Sequence, residues 1–140
     1  MISIVAETIN VQTILESIED PSAGGVAMFI GTTRNSSGGK EVLSLEYEAY
    51  QPMALKLLGE IAASAAARWA VKKISIVHRV GRIGVGEASI VIGVSSAHRN
   101  EAFEACRFLI DTIKKSVPIW KKELYTDGDS WVGMEGSSGG

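Results

Sequence analysis

NEAFEACRFLIDTIKKSVPIWKKELY, residues 100–125, decides the fold, because within it an amphipathic helix stops at a proline and the chain continues as an extended arm. Phe103, Cys106, Leu109, Ile110 and Ile113 recur at three- and four-residue spacing, which lays them along one stripe and leaves Glu101, Glu104, Asp111 and Lys115 off it. Pro118 has no N–H to donate and biases Val117 away from helical angles. The helix is therefore expected to end by Ser116 or Val117, and Ile119 to Tyr125 to run extended. Two lysines bracket this junction: Lys114 falls beside Phe103 and Ile110 at the margin of the apolar stripe, and Lys121 projects from the arm. Lysines in a last turn ordinarily complement the negative end of a helix. Here Ile110, Ile113, Ile119 and Trp120 are expected to wall Lys114 with apolar groups, and an amine so shielded loses its proton more easily than one in water.

Upstream, the pattern alternates between strand and helix. Ile2 to Ala6 alternates like a strand, and Asn10 is placed to cap a short helix whose Val11, Ile14, Leu15 and Ile18 share a face before Asp20-Pro21 stops it. Gly24 to Thr33 is a dense apolar run that reads as a central strand, followed by a flexible loop from Arg34 to Lys40. Leu43, Leu45, Tyr47 and Ala49 alternate with Ser44, Glu46 and Glu48 as a half-buried strand. Pro52 opens a long Ala- and Leu-rich helix to about Trp69. Lys73 to Val80 and Ala88 to Ser95 read as strands joined by Gly81 to Glu87. Gly84-Val85-Gly86 precedes a strand and not a helix, so it is no dinucleotide fingerprint. Downstream of the arm come a turn at Asp127-Gly128-Asp129, a short Trp131-Val132 segment and a Gly/Ser-rich tail. One domain over residues 1–132 with a flexible tail over 133–140 is the expected organisation.

The composition, 46% hydrophobic and 21% charged over 140 residues, is that of one globular domain with enough material for a core. No apolar run approaches the ~18 residues that span a bilayer, and the N-terminus carries no signal-peptide pattern, which sets a cytoplasmic location as the expectation. One cysteine excludes an internal disulfide, and that cysteine with two histidines shows no metal-ligand spacing. Cys106 on the apolar stripe reads as a packed core thiol. Net charge is -2, which argues against nucleic acid as a partner, but the charge is uneven. Residues 1–70 hold four Lys or Arg against eight Asp or Glu, and residues 71–140 hold ten against eight. A locally basic site on an acidic protein suits a small anion or an acidic tail.

Three clusters could carry such a site: Arg34 after the apolar strand, His98-Arg99 at a helix start, and Lys114 with Lys121. Ser95 to Arg99 offers unpaired backbone N–H groups, a positive dipole end and a guanidinium, which suit phosphate or carboxylate, although a plain serine cap beside a solvated arginine reads equally well. His78, inside a strand pattern, reads as structural. Arg99 and Lys114 lie fifteen residues apart on one helix, about 22 Å along its axis. One small-molecule pocket in a single subunit does not reach both, so their joint use requires a second copy of the chain in a symmetric dimer.

Phe29-Ile-Gly-Thr-Thr-Arg34-Asn35, Leu45-Glu-Tyr-Glu-Ala-Tyr50, His78-Arg-Val-Gly81, Ser95-Ser-Ala-His-Arg99, Ala102-Phe-Glu-Ala105 and Lys114 through Pro118-Ile-Trp-Lys121-Lys-Glu123 together resemble the family of large, catalytic subunits of molybdopterin synthase, in order and over nearly the whole chain. The resemblance implies an α/β (α+β) hammerhead-type fold, a mixed or antiparallel sheet with packed helices. It implies a homodimer at the core of a heterotetramer, flanked by two small ubiquitin-like sulfur carriers whose Gly-Gly thiocarboxylate tails enter the pockets. The implied reaction transfers two sulfurs to cyclic pyranopterin monophosphate, forming the dithiolene of molybdopterin without a cofactor or metal. Lys114 and Lys121 match the family's active-site lysines, Arg34 its pocket arginine, and His98 and Arg99 the pair supplied by the other subunit. Phe29 and Ile110 match wall positions, the latter often methionine in relatives. The family's Gly-Asp-x-Trp-Val turn is present at Gly128 to Val132, but the basic residues that often follow it are absent from Gly133 to Gly140.

Two other readings compete. A noncatalytic module would dock a Gly-Gly-tailed or acidic partner in the basic groove without depending on Lys114. A Ser/Lys hydrolase would use Ser95 or Ser96, neither of which lies in a nucleophile-elbow pattern.

Overall fold

The structure is a computed structural model that describes residues 1–125 and, for the backbone, 128–134. It is a mixed α/β domain of three helices and two sheets. The first sheet has the order β1 (Ile2–Val5), β5 (Val71–Arg79), β7 (Ala88–Ser96), β2 (Gly25–Thr32). Its β1–β5 pair is parallel and the others antiparallel. The second sheet runs β3 (Ser36–Ser37), β4 (Lys40–Ala49), β8 (Ile119–Tyr125), β9 (Gly128–Met134), with β6 (Gly81–Gly84) also paired to β4. The chain crosses from the first sheet to the second between β5 and β6, where Gly81 takes φ +88°, a conformation open to glycine at little cost.

Helix α1 (Val11–Ser17) covers one face of the first sheet, and α2 (Gln51–Arg68) with α3 (Arg99–Ser116) covers the other. Asn10 caps α1 by accepting from the Thr13 N–H at 3.2 Å. Gly93 of β7 makes room for α1: a Cβ there would meet Ile18 Cδ1 at 2.7 Å. Helix α3 ends where the proline dictates, with Val117 as C-cap in an extended conformation and β8 beginning at Ile119. Its Leu109, Ile113, Ala105 and Ala102 are all but fully buried against the sheet and α2. Burial of each of the two larger side chains stabilises the fold by about 1.5–3 kcal/mol. Cys106 is buried as expected, and burial pushes its thiol up to about 11.

Four sequence expectations are corrected. Gly25–Thr32 is an edge strand, not a central one: Ala27 and Phe29 pack toward α3, while Val26 and Ile30 remain 49% and 42% exposed. The segment from Arg34 to Lys40, expected as a loop, forms a hairpin whose Gly38 and Gly39 both take positive φ, as a two-residue turn of the primed type demands. In β4 the register shifts between Val42 and Ser44, which turns Leu43 out to 51% exposure and buries both Ser44 and Leu45. A bulge breaks strict alternation in this way. Phe103, on the apolar stripe by spacing, is 63% exposed beside the open edge of β2. Gly133 and Met134 continue β9, whereas Asp127 of the expected turn and residues 135–140 of the expected tail lie outside the described residues.

Candidate functional site

One cavity of 270 Å³ opens where the two sheets and the end of α3 converge. Phe29, Ile30, Gly31 and Thr32 of β2 and Ser89 and Ile90 of β7 form one wall, and Leu45 and Tyr47 of β4 with Lys121 and Glu123 of β8 form the other. Lys114 enters from the last turn of α3, and Arg34 with Ser36 and Ser37 borders the hairpin side. The local sequence accounts for this geometry. Pro118 ends α3 and the chain goes on extended, so Lys114 and Lys121 arrive at the same space from a helix and from a strand. In the β4–β8 ladder Tyr47 lies opposite Lys121 and Leu45 opposite Glu123, and residues two apart on a strand share a face.

Gly31 keeps the floor open. A Cβ at this position would come within 2.8 Å of Ile90 Cγ2 and 3.3 Å of the Phe29 ring. Ser89 is buried with its Oγ donating to the Gly31 carbonyl at 3.2 Å, which ties the floor to β7. Glu123 is 5% exposed. A carboxylate is costly to bury unless cations stand near, and this cavity holds two lysines and an arginine. Sequence reading missed Glu123 as a site residue. The signal was its position two residues beyond Lys121 on the same strand face.

Phe29, Arg34, Lys114 and Lys121 are thus brought together. His98 and Arg99 are not: they line a separate depression with Asn100 and Glu101 at the start of α3. Ile110 borders a third hollow with Phe103, Cys106 and Arg107, which touches the first only through Phe29. Of the four apolar residues expected around Lys114, Ile110, Ile113 and Ile119 are buried and Trp120 is not. The apolar lining of the cavity comes from β2, β7 and β4, while Trp120, 37% exposed, stands on the opposite face of β8 from Lys121. Ser95 and Ser96 are fully buried, and the Ser96 Oγ donates to the His98 carbonyl, so neither is placed to attack a substrate. Among the described residues no group of three His, Cys, Asp or Glu stands close enough to hold a metal ion, and no helix is long and apolar enough to cross a membrane.

The two cationic regions lie at opposite ends of one strand. Arg99 abuts the start of β2, since a Cβ on Gly25 would meet Arg99 Cα at 3.2 Å, and Arg34 follows its end. Eight extended residues span roughly 23–26 Å, close to the axial separation of Arg99 from Lys114. Within one chain the cavity therefore lacks His98 and Arg99.

The MoaE protein family matches residues 4–116. The molybdopterin synthase catalytic subunit of Arabidopsis thaliana is 49% identical over 123 residues, 88% of this chain and 62% of that protein. This chain therefore spans less than two thirds of the plant relative's length. The subunit of the same name from Homo sapiens is 46% identical over 133 residues, 95% of this chain and 71% of the human one. Among solved structures, a molybdopterin synthase chain from Staphylococcus aureus superposes with a TM-score of 0.89 at 40% identity, covering 93% of this chain and 95% of that one.

Proposed function

The chain belongs to the MoaE protein family, and from that premise we propose that it acts as the catalytic subunit of a molybdopterin synthase, a cytoplasmic sulfurtransferase of molybdenum-cofactor biosynthesis. Its substrate is cyclic pyranopterin monophosphate, and the sulfur arrives on the C-terminal Gly-Gly thiocarboxylate of a small ubiquitin-like carrier. The observation that carries this reading is the convergence of Arg34, Lys114 and Lys121, from a hairpin, a helix and a strand, on one cavity with an apolar floor.

Arg34 holds the substrate phosphate together with His98 and Arg99 of a second copy, because guanidinium groups bind phosphate through paired N–H donors. Lys114 stabilises negative charge that develops at the attacked carbon, or shuttles the protons released there. Lys121 orients the incoming tail, and Phe29 walls the ring. Ile110 supports that wall from behind through its hollow beside Phe29. The thiocarboxylate is itself an activated sulfur nucleophile.

The open edge of β2 supplies the second copy. Antiparallel pairing of β2 with its twofold mate lays the Arg99 end of one chain against the Arg34 end of the other, and two such contacts follow from one symmetry axis. It also covers Val26, Ile30 and Phe103, which a single chain leaves exposed. A 270 Å³ cavity lies just below the range of about 300–1,000 Å³ for small-molecule sites, as suits a site that a neighbour completes.

The test is incubation of the chain with thiocarboxylated carrier and the cyclic pterin, following dithiolene formation. Product is expected. Binding of the carrier without product would replace this reading with that of a noncatalytic docking module.

A further inference from the structure

Behind the cavity wall sits a buried histidine that the reaction as described does not use. His78 of β5 is 0% exposed, and its Nδ1 lies 2.9 Å from the Arg79 carbonyl oxygen. A carbonyl only accepts, so Nδ1 carries the proton and donates, which sets the tautomer and the plane of the ring. That ring meets Tyr47 edge to face, with centroids 5.1 Å apart and planes at 69°, the geometry aromatic quadrupoles favour. Tyr47 is 4% exposed, lines the cavity, and is the cross-strand partner of Lys121. Directly opposed residues in an antiparallel pair have Cβ atoms about 4.5–5.5 Å apart, so the Tyr47 ring limits where the Lys121 stem lies.

The two rings belong to different sheets. His78 is on the first, whose β2 and β7 make one wall of the cavity, and Tyr47 is on the second, whose β4 and β8 make the other. Their contact is therefore a joint between the walls.

We propose that His78 is a positioning residue for sulfur transfer: its ring braces Tyr47, and Tyr47 in turn fixes Lys121 relative to the floor formed by β2 and β7. This rests on the cavity being the sulfur-transfer site. A reacting group misplaced by about 1 Å costs up to two orders of magnitude in rate, so loss of the brace acts on kcat more than on KM.

Two variants separate ring from hydrogen bond. H78N offers an N–H in place of the ring, and H78F keeps a ring without the donor. In the dithiolene assay H78N is expected to lower kcat at least tenfold with KM within threefold, and H78F to stay within threefold in kcat. In a Y47L background, H78N is expected to change kcat less than twofold, because the residue it acts through is gone. Equal losses in both backgrounds, or H78N with unchanged kcat, would overturn the proposal. If H78N does not fold, H78F decides: a tenfold fall in the folded variant overturns it. Ring-flip rates of Tyr47 by aromatic NMR provide a readout free of turnover, expected to rise at least tenfold in H78N and to stay near wild type in H78F. Absence of product from the wild-type chain would count against the sulfur-transfer reading, whereas unchanged ring flipping in H78N would count against the brace.

Discussion

Lys114 and Lys121 reach the same cavity from unlike elements, and the proposed function gives the helical one the chemical role. It leaves the last turn of α3 to line the cavity between the β2 floor and the β4–β8 wall, and a cation fixed in such a cleft stabilises an anion that develops beside it. Lys114→Ala should lower the rate of product formation by about 10²–10⁴, with circular dichroism and dimer mass by light scattering unchanged. Near-normal turnover would remove Lys114 from the mechanism. Cys106 gives a second residue-scale test. Burial raises its thiol from the ordinary 9.0 to about 11, so the unfolded chain gives up this proton first. The stabilisation is complete below about pH 9 and is lost as pH rises toward about 11. Urea unfolding of wild type and Cys106→Ala across that interval should show the wild-type advantage shrinking, and a difference that stayed constant would contradict the assignment.

Elements that announce themselves by period and punctuation were legible in the sequence. The end of α3 and the start of β8 follow from Pro118, the opening of α2 from Pro52, and the α1 cap from Asn10, because each is set by a local steric or hydrogen-bonding rule. Features decided by partners were not. The apolar run of β2 looks like a strand with neighbours on both sides, and nothing within residues 25–32 says that one edge is left open. The bulge at Leu43 and the short β6 depend on what β4 pairs with, and Glu123 gained its place in the cavity only once β8 was set against β4. The site shows the same division: Arg34, Lys114, Lys121 and Phe29 come together in the fold, while His98 and Arg99 stay apart. Core packing of α3 has its own test. Leu109 is 0% exposed, so Leu109→Ala should cost about 2–5 kcal/mol by urea denaturation, and a loss below about 1 kcal/mol would mean that the α3 interface is loosely packed.

For the whole molecule, the proposed function makes a sharp demand: each site is divided between two copies, because His98 and Arg99 lie apart from the cavity of their own chain. Lys114→Ala damages the helix-end half and Arg99→Ala the helix-start half, and each homodimer should be nearly inactive. In a mixed dimer one site collects both lesions and the other neither. Equal mixing with subunit exchange should therefore restore about a quarter of wild-type sites, by random pairing of twofold dimers. No recovery after verified exchange would confine the site to one chain. The exposed edge of β2 then carries a consequence for the living cell. On the proposed reading, a strand that must find its twin before the pocket is complete ties catalytic competence to abundance by mass action. Specific activity should fall on dilution as dimers part, and scarce chains would be silent however much substrate is present.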